Sequence, residues 1–175
     1  MEKVNGITYQ EYIRQHPDDE AGVFNAIVKA IRHLWTFPVP VQGPVGPFRK
    51  GIPHDRFFTH RGAGRTFESA ADLQEWCNAK LMDRKQLQRV DFASEPLVFC
   101  HLDLHPANII VCDDNSFYII DWGMSGVYPL VLEHYGLLHQ GRASFASRLR
   151  SALFGGTTSN LKAVAMVGRI NGQGG

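Results

Sequence analysis

The chain has 175 residues, of which 44% are hydrophobic and 20% charged; that is enough for one domain that folds without disulfide or metal staples. With 18 Lys+Arg against 17 Asp+Glu the net charge is +1, which offers no electrostatic footprint for a nucleic-acid partner. No apolar run approaches the roughly 20 residues that span a bilayer, so no membrane partner is expected.

The first residues lack the apolar stretch of a signal peptide. Glu2 to Val4 reads as a short extended piece, followed by a turn at Asn5-Gly6. Tyr9 to Gln15 has the length of a short helix. A longer helix follows, capped by Asp18 or Asp19, with Val23, Ile27, Ala30, Ile31 and Leu34 at helical spacing. It ends before Pro38 and Pro40. Residues 38–56 are rich in proline and glycine and predict a long ordered loop. Gly62-Ala-Gly64 reads as a turn; a glycine loop that cradles phosphate would need a third glycine and a strand lysine after it. The spacing then predicts a helix over 70–82, with Ser69 at the N-cap and Asp72 in the first turn, where its charge complements the helix dipole.

The middle of the chain is different. Leu97 to His101 is a short apolar run suited to a buried strand. Asn108 to Cys112 and Phe117 to Asp121 are two more, joined by the polar turn 113–116, and together they predict a hairpin. After Pro129 the pattern is helical again, through Leu130, Leu132, Leu137 and Leu138 and then Phe145, Leu149 and Leu153. The expected fold class is α+β: a mainly helical domain with a small β-hairpin inset. The Gly-rich end, 172–175, is expected to fray. Cys77, Cys100 and Cys112 form no Cys-x-x-Cys pair and are read as reduced thiols of a cytoplasmic protein.

Polar residues concentrate between the apolar strands, as His101-Leu-Asp103-Leu-His105-Pro-Ala-Asn108 and then Asp121-Trp-Gly123. A hairpin returns its end next to its beginning, so Asp121 is expected beside Asn108 and Asp103. Two carboxylates and an amide oxygen at strand ends are hard ligands of the kind that suit Mg²⁺. The alternation of His101, Asp103 and His105 permits a rival reading as a zinc site. Pro106 interrupts the strand that this reading needs, and no further ligand set supports it.

His-x-Asp-x-x-x-x-Asn followed by Asp-x-Gly resembles the catalytic and metal-binding loops of the protein-kinase-like fold. Its form here, HLDLHPANIIV and then IIDWGMSGVYP, resembles the aminoglycoside phosphotransferase and choline kinase group. Residues 62–67 and 90–98 are similar to fungal members of that group. The resemblance implies Asp103 as catalytic base or orienting carboxylate, Asn108 and Asp121 as Mg²⁺ ligands, and His101 and His105 as loop-supporting residues. It implies ATP as co-substrate, a small-molecule acceptor, and no control through a phosphorylated activation loop, since Leu102 stands in place of arginine. The segment from Met1 also resembles the family's hinge, with Met1 and Glu2 against the nucleotide.

On that alignment residues 1–6 are hinge, 7–155 form the carboxy-terminal lobe, and 156–175 are a partly flexible tail. The amino-terminal lobe, with its glycine loop and strand lysine, is expected to be absent. No GxxxxGK[ST] occurs either, which removes a P-loop NTPase. Two readings follow: a Mg²⁺- and ATP-dependent small-molecule kinase, or a catalytically inactive remnant, pseudoenzyme or binding module.

Overall fold

The computed structural model describes residues 4–40, 43–48, 51–54, 56–58, 62–140 and 144–173. Met1 and Glu2, the hinge candidates, lie outside the described residues. In chain order the elements are β1 (Ile7–Thr8), α1 (Tyr9–Gln15), α2 (Glu20–Leu34), β2 (Gly46–Pro47), α3 (Ala70–Asp83), β3 (Leu97–Cys100), β4 (Ile109–Val111), β5 (Phe117–Ile119), β6 (Gly126–Pro129), α4 (Leu130–His139), α5 (Ser144–Phe154) and α6 (Ser159–Gln173). The result is the expected α+β class, with two small antiparallel sheets where the sequence predicts a single hairpin inset.

Local chemistry accounts for the helix starts. Thr8 accepts from Glu11 N at 3.2 Å while the Glu11 carboxylate accepts from Thr8 N at 3.3 Å, a capping box that starts α1. Ser69 accepts from Asp72 N at 3.2 Å and starts α3. The Asp72 carboxylate accepts from Glu68 N and pairs with Arg65, and both hold it below the usual carboxylate range. Asp19 stands at the N-cap of α2 but makes no side-chain capping bond there. α2 is fixed instead by Val23, Ile27 and Ile31, all buried.

The hairpin joins β4 to β5 in the register Ile109↔Ile119, and β1 adds to its outer edge through Ile7↔Val111. A second antiparallel sheet has the order β2-β6-β3. The strand before the polar loop, β3, thus pairs with β6, which follows Asp121, and not with the hairpin; Phe99 sits opposite Val127. The proline-rich stretch is less irregular than expected: β2 pairs with β6, and Val45 bridges to Phe67.

Two hydrophobic clusters support these sheets. One gathers Phe57, Phe58, Leu73, Val98, Leu102, Leu132, Leu161 and Val164; the other gathers Tyr9, Phe24, Ile27, Leu104, Ile109 and Leu149. Residues 156–175, expected as a partly flexible tail, carry α6. Its Leu161, Val164 and Val167 are fully buried, because an apolar stripe at helical spacing outweighs the glycines beyond it. Among the described residues no helix is long and apolar enough to cross a membrane.

Candidate functional site

The polar loop leaves β3 and crosses from one hydrophobic cluster to the other within three residues. Leu102 is 5% exposed in the first cluster and Leu104 is 1% exposed in the second. Asp103 stands between two buried anchors that face different cores, which fixes its backbone. The crossing uses a left-handed conformation at Leu102, φ 67°, which an L-residue adopts only when its surroundings enforce it. The enforcement is visible. Glu133 on α4 is 1% exposed, and its carboxylate accepts from His101 N at 2.5 Å and from Leu102 N at 3.1 Å. One turn further on, Gly136 lets the helix approach: a Cβ there would stand 3.2 Å from the Leu102 carbonyl oxygen.

His101 is fully buried. Its Nε2 donates to the Ile120 carbonyl at 3.0 Å and its Nδ1 accepts from Asp103 N at 3.2 Å. These bonds fix the tautomer and tie the loop that carries Asp103 to the one that carries Asp121. Burial lowers the His101 pKa, against the opposing pull of the Ile120 carbonyl and of the Asp103 and Asp121 charges. The ring stays neutral and structural, and both nitrogens are taken. The zinc reading has no support here: among the described residues no group of three or more His, Cys, Asp or Glu is placed to hold a metal ion.

His105 shapes the other end of the loop. Its Nδ1 accepts from Ala107 N at 3.2 Å, capping the 3-10 turn Pro106–Asn108. That turn presents Asn108, whose Nδ2 donates to the Asp103 carbonyl and to Asp103 Oδ2, both at 3.0 Å. The carboxylate therefore sets the amide's orientation, and Asn108 Oδ1 is the oxygen left for a cation. The hairpin does what its sequence implied: Ile120 N donates to the Asn108 carbonyl at 2.9 Å, so Asp121 is the next residue after a direct partner of Asn108. Asp121 is exposed and left-handed, φ 61°. Gly123 leaves room for it, since a Cβ there would stand 3.3 Å from Asp121 Oδ1. Trp122 packs its ring 4.6 Å from that of His101 and donates from Nε1 to the Ile119 carbonyl at 2.8 Å.

Asp103 and Asn108 are thus in contact, and Asp121 is joined to both through His101 and the hairpin. An amide oxygen and a carboxylate on neighbouring strand ends fit a hard cation such as Mg²⁺, which takes few protein ligands and completes its shell with water and phosphate. Four residues of the site were not singled out from sequence: Glu133, Gly136, Arg56 and Gln140. Glu133 was legible, as a lone carboxylate in an apolar helix. Arg56 and Gln140, which face Asp103 from distant parts of the chain, had no local signal.

The model of the phosphotransferase enzyme family, APH, matches residues 1–166. None of the curated proteins compared with the chain matches it. The chain belongs to the phosphotransferase enzyme family.

Proposed function

We propose that this member of the phosphotransferase enzyme family builds a small-molecule kinase site, transferring the γ-phosphoryl group of ATP to a hydroxyl with Asp103, Asn108 and Asp121 as its working residues. The observation that carries this is the Asn108 amide locked on the Asp103 carboxylate while His101 couples the same loop to Asp121. In phosphoryl transfer the protein's task is mainly positioning and charge stabilisation, and these bonds supply positioning.

Asp103 accepts a hydrogen bond from the acceptor hydroxyl and takes its proton as the oxygen attacks the γ-phosphorus. The bond from that phosphorus to the β,γ-bridging oxygen breaks, and its electron pair leaves with ADP. Asn108 Oδ1 and the Asp121 carboxylate would hold Mg²⁺, which neutralises phosphate charge when bound. His101 and His105 keep the loop in shape and touch no reacting atom.

The sequence contains no glycine-rich loop followed by a strand lysine. Mg²⁺-dependent ATP binding without turnover would favour the second reading, a catalytically inactive remnant, pseudoenzyme or binding module. The deciding experiment measures Mg²⁺-dependent ATP binding and ADP release on a panel of hydroxyl acceptors. Binding lost in Asp121→Ala, with turnover lost in Asp103→Ala at unchanged nucleotide affinity, is the expected result. Absence of Mg²⁺-dependent nucleotide binding by the wild-type chain would overturn the proposal.

A further inference from the structure

We infer that Arg56 and Gln140 form the acceptor subsite of this centre, and that they select an acceptor carrying an anionic group, carboxylate or phosphate, beside its hydroxyl. The inference rests on the kinase reading above and names its substrate class.

The two oxygens of Asp103 face different chemistry. Oδ2 takes the Asn108 amide at 3.0 Å, on the side of the candidate metal ligands. Oδ1 faces Gln140 Nε2 at 3.5 Å and the Arg56 guanidinium at 3.6 Å. The second side is where an acceptor can meet the base without displacing the nucleotide.

Arg56 is placed there by the fold. The next residues, Phe57 and Phe58, are 2% and 1% exposed. Phe57 packs edge-on against Tyr135 of α4 at 5.3 Å, and its carbonyl accepts from Asn171 Nδ2 of α6 at 2.7 Å. The backbone beside Arg56 is therefore pinned to two core helices, while its own side chain is 47% exposed against 20% for Asp103. At 3.6 Å the guanidinium lies beyond hydrogen-bond distance of the carboxylate. Charge alone holds the pair, and the planar N–H fork can turn to a better partner. Gln140, at the end of α4, carries a complementary sign: its Oε1 is buried and has no hydrogen-bond partner among the described residues. Buried polar oxygens are nearly always satisfied, and a turn of the Gln140 amide as an acceptor binds would bring this one to a donor.

The charges then choose the substrate. A cationic amine placed against Asp103 Oδ1 meets the guanidinium and is repelled. A carboxylate or phosphate beside the hydroxyl binds the guanidinium through two parallel charge-assisted hydrogen bonds. That contact draws Arg56 away from Asp103 and opens Oδ1 to the hydroxyl. Arg56 acts here as a specificity-determining residue.

The test compares matched triads of polyols by calorimetric titration of the whole chain: glycerate, glycerol and serinol, then gluconate, sorbitol and glucosamine, with glycerol phosphate to separate phosphate from carboxylate. The anionic member of at least one triad is expected to bind tighter than its neutral and cationic partners by about tenfold or more, the minimum that one charge-assisted hydrogen bond implies. Arg56→Met should abolish the difference and Arg56→Lys should retain part of it, while Gln140→Leu should weaken all members alike. Melting temperature serves as the control for folding. Equal binding within every triad, preference for the amines, or an anion preference that survives Arg56→Met would each overturn the inference. Mg²⁺–ATP binding, measured in parallel on the same samples, reports on the kinase reading separately, because the triads are titrated without nucleotide.

Discussion

Removing the Glu133 carboxylate should unfasten the loop that carries Asp103. This side chain accepts from two successive backbone N–H groups, His101 N at 2.5 Å and Leu102 N at 3.1 Å, inside a core where it is 1% exposed. Hydrogen bonds to a charged group contribute about 1.5–3 kcal/mol each, and leaving both donors unsatisfied in Glu133→Ala costs about 3–6 kcal/mol. For a chain of this length that lowers the melting temperature on the order of 10 °C, a large part of the roughly 5–15 kcal/mol that holds a typical protein folded. Glu133→Gln keeps the volume and one acceptor oxygen but turns an amide donor toward the second N–H, so about half of the loss is expected. The loop should also lose its left-handed turn at Leu102, φ 67°, and with it the placement of Asp103. A misplacement of about 1 Å costs on the order of 100-fold in rate. Thermal melts and denaturant titrations of wild type, Glu133→Gln and Glu133→Ala read the stability, and ADP release reads the placement. An alanine variant that melts within about 2 °C of wild type, with turnover unchanged, would refute the reasoning and show that the loop is held by its own local bonds.

His134 should make stability depend on pH. It is 3% exposed, its Nε2 has no hydrogen-bond partner among the described residues, and it stacks on Phe154 at 4.1 Å; burial first, and then the Arg150 charge, push its pKa down to about 4. Its unfolded value is about 6.5, so between these values the unfolded chain binds more protons and stability rises with pH. The contribution is complete above pH 6.5 and is lost as pH falls toward 4, by about 3 kcal/mol; denaturant titrations should show His134→Phe flattening this slope. Thiol labelling should separate the cysteines: Cys112 is partly exposed and should react first, whereas Cys77 and Cys100 are buried, with burial pushing the Cys77 thiol up. Labelling of Cys77 at the rate of Cys112 in the native protein would contradict the packing of α3.

Local signals in the sequence determined a good deal. Helical periodicity and Ser69 defined α3 to within a residue of its end. Short continuous apolar runs gave β3, β4 and β5, and the polar turn between the last two placed Asp121 beside Asn108, because hairpin closure is a property of adjacent sequence. The capping box of Thr8 and Glu11 was equally local and open to reading, as was the apolar stripe of α6. The family, too, was legible from eleven-residue stretches around Asp103 and Asp121.

Tertiary structure alone decided what surrounds those residues. Nothing near Leu102 in sequence explains its left-handed turn; the cause is a carboxylate 31 residues away. Pairing of β3 with β6 depended on a crossing that short apolar runs cannot specify, since any such run can pair with several others. Arg56 reaches Asp103 because the adjacent Phe57 is buried against α4 and tied to α6, and Gln140 reaches it from the end of α4. Motifs record the groups that do chemistry at fixed spacings, whereas the partners that hold and select are brought in by packing, which acts between residues with no fixed separation along the chain.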